Sequence, residues 1–246
     1  MIDFLSTRIP LLAAWPECAT LDGIRVPIRT SPLSPSARRQ LMRGRYETAE
    51  RRIVGQLLEE GDHVLEVGAS IGIVSSVLWK KVGPRGRVLS VEANLALRPH
   101  FERQMTVNGI QGEWVGALCC PVWGQYIPDS ISTQSFVPST DSLEGAAREP
   151  TADREPGPPW RTAEHICDHF RMNPTAVVID VEGSEAVWCI VSPGFPKSVR
   201  TVVVEIHPLL IGASRAGRCI QALIEEGFGI TAVYGTVFGL RRIRCP

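Results

Sequence analysis

A short apolar strand that leads through a glycine-bearing turn into a helix constrains the fold of this chain more than any other feature. The strand is His63 to Val67, the turn is Gly68-Ala-Ser-Ile-Gly72, and the helical stretch runs from Ile73 to Lys81. Glycines let the backbone come close to a ligand, and the amide groups at the start of the helix favour negatively charged groups. Strand, glycine turn and helix in this order predict the nucleotide-binding opening of a doubly wound α/β fold.

Strand and helix patterns alternate along the rest of the chain. Further apolar runs predict strands at 87–91, 114–119, 176–180, 201–205, 229–233 and 236–243. Helices are predicted at 47–59, 95–107, 161–171, 184–191 and 214–226. This alternation implies a mostly parallel sheet, and the last two strands, joined at Tyr234-Gly235, predict a hairpin. We therefore predict an α/β protein with a Rossmann-like, mostly parallel seven-stranded sheet and a C-terminal antiparallel hairpin.

Two segments stand apart from this alternation. Residues 1–44 mix short apolar pieces with prolines, which predicts a lead-in segment or a cap over the site. Residues from about 121 to 160 are rich in Pro, Ser, Thr, Asp and Gly without helical periodicity, so we predict a lid-like insert there. The principal domain is accordingly predicted over residues 45–246.

Composition excludes some classes of partner. The chain has 26 basic and 26 acidic residues and a formal charge of zero, so no overall field attracts nucleic acid or an anionic membrane. No apolar run reaches the roughly 18 residues of a membrane span. The seven cysteines are scattered without a C-x-x-C pair, which is typical of reduced thiols in the cytoplasm. We expect a cytoplasmic protein with a small-molecule substrate, no nucleic acid and no membrane partner.

The spacing of the glycines and a later carboxylate narrow the kind of ligand. A nicotinamide or flavin fingerprint would be G-x-G-x-x-G, but here Ala69 takes the second position and the glycines are Gly68 and Gly72. Glu92 follows about twenty residues after the turn, at the end of the second strand, where a carboxylate can accept both hydroxyls of a ribose. The alternative is that the glycines only make a tight connection and that Glu92 is a solvated strand end.

Several short motifs occur in the order seen in FkbM-type S-adenosylmethionine methyltransferases, which the chain resembles over about residues 45–230. These motifs are Tyr46-Glu47, Gly61-Asp62, Glu66 to Gly72, Gly86-Arg87-Val88, Glu92-Ala93-Asn94, Asn108-Gly109, Ala117, Asp180 to Glu185, Glu205 to His207 and Glu225 to Phe228. The glycine turn and the segment Asp-Val-Glu-Gly-Ser-Glu are the most specific of them. Members of this family are class I methyltransferases that mostly methylate hydroxyl groups of natural products and sugars.

The resemblance implies S-adenosyl-L-methionine as the cofactor and assigns residues to it. It places Gly68, Ala69, Ser70 and Gly72 at the methionine end, Glu92 at the ribose, and Ala93, Asn94 and Ala117 near the adenine. The family commonly has aspartate and asparagine where this chain has Glu66 and Ser70. Both replacements keep a polar group, so Glu66 is also predicted to bind the cofactor. Val178 stands where the family often has lysine.

A second group of polar residues follows the two later strands. Asp180 and Glu182 alternate along one extended segment, and Glu205 and His207 along the next, so all four should meet at the carboxyl edge of the sheet. Asp180, Glu182 and His207 are the predicted catalytic residues. His207, with a reference pKa near 6.5, is a candidate base, and Asp180 and Glu182 compete with it.

Other interpretations of this cluster stay open. It could hold Mg²⁺, which prefers oxygen ligands, but we favour direct base catalysis and assign no metal. It could also be structural, with His207 capped by a carboxylate and Glu182-Gly183 serving as a turn.

The sequence thus predicts an S-adenosylmethionine-dependent methyltransferase that O-methylates a hydroxyl on a small-molecule acceptor, a natural product or sugar. N-methylation of a small molecule or peptide is one alternative. A non-catalytic cofactor-binding partner subunit is another. The oligomeric state is open, and a homodimer is compatible with the sequence.

Overall fold

The structure is a computed structural model, and it describes residues 15–120, 135–138, 145–148, 158–191 and 194–243. Its strands are β1 Cys18–Leu21, β2 Ile24–Pro27, β3 His63–Val67, β4 Arg87–Glu92, β5 Glu113–Gly116, β6 Leu118–Cys120, β7 Ser135–Pro138, β8 Gly145–Arg148, β9 Trp160–Thr162, β10 Ala176–Ile179, β11 Thr201–Glu205, β12 Phe228–Tyr234 and β13 Val237–Arg242. Its helices are α1 Pro35–Met42, α2 Thr48–Leu57, α3 Ile73–Val82, α4 Arg98–Val107, α5 Ala163–His169, α6 Pro208–Ile211 and α7 Ala213–Glu225, with a 3₁₀ turn at Leu95–Leu97 and a π-helix at Val187–Val191. None of these helices is both long and apolar enough to cross a bilayer.

Seven of the strands form one central sheet. Their order is β12-β13-β11-β10-β3-β4-β5. The strands from β11 to β5 are parallel to one another, and β13 runs antiparallel to both β11 and β12. This confirms the predicted Rossmann-like α/β fold, with a mostly parallel seven-stranded sheet and a C-terminal antiparallel hairpin.

The register of the parallel strands sets up the site. Val67 of β3 pairs with Ile179 of β10 on one side and with Val91 of β4 on the other, and Ile179 pairs with Val204 of β11. The residues that come next along each of these strands therefore form one row at the carboxyl edge of the sheet. That row is Glu205, Asp180, Gly68 and Glu92.

Helices cover both faces of the sheet because successive strand residues point to opposite sides. On one face, Ile53 and Leu78 of α2 and α3 pack with Val64 and Val178. On the other face, a second apolar cluster joins alternate strand residues to side chains that follow in the second half of the chain. It includes Leu65, Val177, Val202, Ile166, Trp188 and Leu223. Two buried faces explain why these strands are apolar runs rather than alternating ones.

The segment before the sheet packs over the turn that follows β3. Leu21, Ile24 and Leu41 of the β1-β2 hairpin and α1 form an apolar cluster with Ile71 and Ile73. Ser34 caps α1, because its hydroxyl accepts a hydrogen bond of 3.1 Å from the amide of Ala37. The packing of this apolar cluster places α1 at the rim of the site. The division of the chain at residue 44 stays a prediction.

The single strand predicted from 114 to 119 is wrong. β5 ends at Gly116, where an added Cβ would lie 2.5 Å from Leu95 Cδ2. The Ala117 amide donates to the carbonyl of Glu92, and the chain then leaves the sheet as β6, which pairs with β9. Because β9 occupies residues 160–162, α5 begins at Ala163 rather than at residue 161.

Most of the predicted insert at 121–160 lies outside the described residues. The described part includes β7 and β8, which pair antiparallel to each other. Its role as a lid stays a prediction.

Candidate functional site

A cavity of about 810 Å³ opens at the carboxyl edge of β3, β4, β10 and β11. Ser34, Ala37 and Gln40 of the α1 region line one side of it, and Leu209 and Leu210 of α6 line the other. Open α/β sheets bind their ligands at this edge, and the volume is within the ordinary range for a small-molecule site. The row of residues at the strand ends forms the floor of the cavity.

Gly68 is required by a very close approach between two strand ends. Its φ is +92°, and a Cβ built on it would lie 1.6 Å from the carbonyl oxygen of Asp180. Its amide donates a 2.9 Å hydrogen bond to the carbonyl of Val91. The backbone of the turn is therefore held between β4 and β10, with its surface exposed to the cavity.

Glu92 is fixed in the cavity wall by two backbone amides. Its Oε2 accepts a hydrogen bond of 2.7 Å from the amide of Ser70, and its Oε1 accepts one of 2.6 Å from the amide of Asn94. Burial raises the pKa of Glu92, and these amides act in the opposite direction. Ala93 and Ala117 line the cavity beside it. The glycine turn and the predicted ribose-binding carboxylate are thus joined by a direct hydrogen bond.

Four of the predicted cofactor residues do not line this cavity. Gly72, with φ +85°, has no room for a Cβ because the side chains of Phe101 and Met105 would lie within 2.9 Å of it. Ala69 packs against the same two side chains. Asn94 caps the 3₁₀ turn, where its side chain accepts from Ala96. Cofactor contact stays a prediction for these residues, and their packing is sufficient to explain them.

Glu66, the fourth of these residues, lies beneath the turn. It is 2% exposed, and its Oε2 accepts hydrogen bonds of 2.6 Å from the hydroxyls of Ser75 and Ser90. Burial raises the pKa of Glu66 to about 7, against the effect of the two serine hydroxyls. Glu66 therefore connects β3 to α3 and to β4, which supports the turn from below.

The second group of predicted residues converges on one imidazole ring. His207 Nε2 lies 3.3 Å from Glu182 Oε2, 3.7 Å from Glu205 Oε1 and 3.8 Å from Asp180 Oδ1. The juxtaposition expected from two neighbouring parallel strands is present. All four residues line the cavity.

Glu185 completes this cluster, and the sequence analysis gave it no role. Its side chain is fully buried, and its Oε1 contacts His207 Nδ1 and accepts a 3.0 Å hydrogen bond from the Gly183 amide. It lies in the Asp180 to Glu185 motif, but an acidic residue in the first turn of a helix is ordinarily interpreted as solvated. Only the fold places it behind the ring.

The protonation of His207 differs from what its reference pKa suggests. Burial would lower its pKa, but the hydrogen bond with Glu185 and the charges of Glu182, Glu185 and Glu205 raise the pKa of His207 to about 9. With this set of neighbours the ring keeps its proton at neutral pH. The role of His207 as a general base stays a prediction, and it would act from a pKa of about 9 rather than one near 6.5.

The cavity is strongly acidic, because two carboxyl groups at the start of α2 add to the predicted ones. Burial raises the pKa of Glu47 to about 8 and that of Glu50 to about 7. Glu50 is hydrogen-bonded to the carboxyl group of Glu205. The acidic residues of the lining are Glu47, Glu50, Glu92, Asp180, Glu182 and Glu205, and the described lining contains no lysine or arginine. Such a cavity favours a cationic occupant over an anionic one.

Strand order, glycine turn and cavity together define a Rossmann-like protein with a nucleotide-type ligand site. No protein-family model matches the chain, and no curated protein is similar to it in sequence.

Among solved structures, the chain is similar to three methyltransferases at low identity. A precorrin-6y C5,15-methyltransferase from Geobacter metallireducens is 10% identical with TM-score 0.48, covering 79% of this chain and 87% of that one. Fibrillarin from Aeropyrum pernix, in complex with S-adenosylmethionine, is 13% identical with TM-score 0.41, covering 77% and 72%. An S-adenosylmethionine-dependent O-methyltransferase from Thermotoga maritima is 15% identical with TM-score 0.42, covering 82% and 67%.

Proposed function

We propose that this protein is an S-adenosylmethionine-dependent methyltransferase that methylates a hydroxyl group of a small-molecule natural product or sugar. The observation that carries the proposal is the pairing of Gly68 with Glu92 in the cavity wall. The two lie at adjacent strand ends and are joined through the hydrogen bond from the Ser70 amide to Glu92. A nucleoside bound there would place its ribose hydroxyls at Glu92 and extend over the open backbone of Gly68.

The charge of the cavity agrees with this cofactor. S-adenosylmethionine carries a sulfonium cation, and the carbonyl of Asp180 lies directly against the Gly68 backbone with its carboxyl group also in the lining. A positive sulfonium is stabilised beside buried carboxyl groups, whereas the described lining offers a nucleotide with free phosphates no lysine or arginine. The FkbM-type motifs noted above support the same assignment.

The chain's own residues then have simple tasks. Bound S-adenosylmethionine would supply the methyl group, which would pass to the acceptor oxygen while the electron pair of the broken carbon–sulfur bond stays on sulfur as a neutral thioether. The acceptor loses one proton. Burial and the neighbouring carboxylates raise the pKa of Asp180 well above its ordinary value, so its carboxylate is a stronger proton acceptor than a solvated one. Asp180 is the base we favour, with Glu182 beside it, and His207 positions both.

Two measurements test the proposal in sequence. Calorimetric titration of the purified protein with S-adenosylmethionine and its demethylated product should show one saturable site. Incubation with labelled cofactor and a panel of hydroxylated small molecules should then give a product labelled on oxygen. A protein that binds neither form of the cofactor would rule the proposal out.

N-methylation of an amine is the second candidate, and one observation favours it. The described lining has six acidic side chains and no lysine or arginine, which suits a protonated amine as well as a sulfonium. An amine panel run beside the hydroxyl panel, with the label located by mass spectrometry, separates the two reactions. Cofactor binding without turnover on either panel would instead favour a non-catalytic partner subunit.

A further inference from the structure

The geometry around His207 points to a second ligand, and we propose that Asp180, Glu205 and His207 bind one divalent metal ion, with Glu182 as a fourth donor. The inference deepens the proposed methyltransferase function and rests on it for the role of the ion. The binding of the ion itself can be tested independently. The donor atoms would be His207 Nε2, which would release its proton when the ion binds, and one carboxylate oxygen from each acidic residue.

The spacing of the donors fits a single ion. Donor atoms of Asp180, Glu205 and His207 all lie within 4.8 Å of one another. Nε2 is 3.3 to 3.8 Å from the three carboxylate oxygens. In an octahedral complex with bonds of about 2.1 Å, adjacent donors are about 3.0 Å apart and opposite ones about 4.2 Å apart. Small side-chain movements would therefore bring the donors of Asp180, Glu205 and His207 into coordination range, and Glu182, whose Oε2 lies 3.3 Å from Nε2, would have to move further to join them.

One of these donors has no other partner. Asp180 Oδ1 is shielded from solvent and accepts no hydrogen bond from the described residues. Buried polar atoms are ordinarily hydrogen-bonded, and an orphaned carboxylate oxygen among other carboxylates is costly. His207 Nε2, at 3.8 Å, is too far away to donate a hydrogen bond to it. A cation at this position would satisfy the atom and reduce the repulsion among the carboxylates.

The residues behind the donors are arranged as in a metal centre. Glu185 holds His207 Nδ1 and is itself held by the amide of Gly183, which leaves Nε2 directed at the carboxylates. The hydroxyl of Thr236 donates a 3.0 Å hydrogen bond to Glu205 Oε1. Imidazoles that bind metals commonly donate their other ring nitrogen to a carboxylate in this way. The ring orientation is thus set before any ligand arrives.

The donor set indicates the kind of ion and its task. One imidazole with three carboxylates and no thiolate suits an octahedral ion such as Mn²⁺, with Mg²⁺ as its weaker relative at a nitrogen-containing site. The ion would coordinate the acceptor hydroxyl, lower the pKa of that hydroxyl and hold its oxygen against the methyl carbon, while the Asp180 carboxylate oxygen not bound to the ion would accept the proton.

Electron paramagnetic resonance with Mn²⁺ tests the proposal on the full chain. A titration should show one saturable site, and Mg²⁺ should compete for it. Glu205→Gln and His207→Gln should each weaken Mn²⁺ binding by more than about tenfold, and Glu185→Gln, which acts through the ring, by about tenfold. Glu47→Gln is the matched control, since it removes a carboxyl group of the same cavity from outside the donor set, and its affinity should stay within about twofold.

A pulsed measurement on the unaltered protein makes the test independent of variant folding. Bound Mn²⁺ should show coupling to one imidazole nitrogen, and His207→Gln should abolish it. No saturable site, no nitrogen coupling, or equal weakening in Glu47→Gln would overturn the proposal. Cofactor titration of metal-free protein is run in parallel. Cofactor binding without Mn²⁺ binding defeats only the metal site, whereas Mn²⁺ binding without cofactor binding defeats the proposed function.

Discussion

The two halves of the cavity floor are built on different principles. At the ends of β3 and β4, most of the contacts are made by backbone groups. The amides of Ser70 and Asn94 hold Glu92, and Gly68 lies against the carbonyl of Asp180. At the ends of β10 and β11, side chains contact one another, with His207 among four carboxylates and Asp180 Oδ1 accepting no hydrogen bond from the part of the chain that the structure describes. In the first half, the backbone at Gly68 has no room for a side chain. In the second half, the carboxylates outnumber the one imidazole that contacts them.

This difference indicates which half of the cavity floor is organised before its ligand binds. A site made of backbone contacts is organised before binding, whereas a cluster of uncompensated carboxylates is completed by a cation.

A single added methyl group should destabilise the protein most in the half of the cavity floor at the ends of β3 and β4. Gly68→Ala would force a Cβ onto the Asp180 carbonyl at a positive φ, so we expect a loss of about 4 kcal/mol in the free energy of unfolding, from strain and overpacking together. Urea denaturation measures it. Gly55→Ala is the control, because that helical glycine has open space and a gain of about 0.5–1 kcal/mol is expected. Similar effects of the two variants would contradict the steric account.

The carboxyl group beneath the turn should make stability depend on pH. Because the pKa of Glu66 is raised from 4.5 to about 7, the folded protein binds this proton more tightly than the unfolded chain does. Its contribution to stability is present below about pH 4.5 and is lost as the pH rises through about 7, amounting to about 3 kcal/mol. Urea denaturation at pH 5 and at pH 8 measures this pH-dependent part of the free energy of unfolding. It should be absent in Glu66→Gln. The exposed Glu59→Gln should retain the full pH dependence.

Cofactor affinity should depend on the backbone-held half. Glu92→Ala removes the carboxylate expected to accept the ribose hydroxyls and releases the amides of Ser70 and Asn94. We expect a loss of about 2 kcal/mol, roughly thirtyfold in Kd for S-adenosylmethionine, measured by calorimetry. Glu113→Ala, whose carboxylate pairs with Arg87 away from the cavity, should bind the cofactor normally. An unchanged Kd in Glu92→Ala would remove the carboxylate from the cofactor site.

The smallest expected effect is the change in cofactor affinity when Glu185 is replaced. Glu185→Gln disturbs only the ring of His207 and its carboxylates, so the Kd for S-adenosylmethionine should stay within about twofold of the unaltered protein while Mn²⁺ binding weakens. Glu92→Ala should show the reverse pattern. If both variants impair both ligands equally, the two halves are one cooperative unit.

The order of elements was predictable because periodicity and turn chemistry are local. The buried runs at β3, β4, β10 and β11 and the terminal hairpin were all identified, with bounds that differ from the structure by a few residues. The failure at 114–119 has a tertiary cause, because the apolar run does not reveal that its second part pairs with β9 from a distant part of the chain.

Residues of the candidate site could be predicted where the neighbouring sequence alone explains the residue type. Gly68 and Glu92 follow from a turn and a strand end. Glu47 and Glu50 were missed, because acidic residues at a helix start are ordinarily solvated, and nothing local shows that the sheet edge lies opposite them. The protonation of His207 was also out of reach, since it depends on carboxylates from other parts of the chain.

By itself the sequence determined a Rossmann-like sheet with a glycine turn at its centre, since hydrophobic period and backbone freedom are properties of neighbouring residues. The tertiary structure alone shows that Gly72 packs against Phe101 and Met105, that Glu66 supports the turn from below, and that the described cavity lining brings six carboxyl groups together with the imidazole of His207. Burial and charge depend on distances between remote segments, and those distances exist only once the chain has folded.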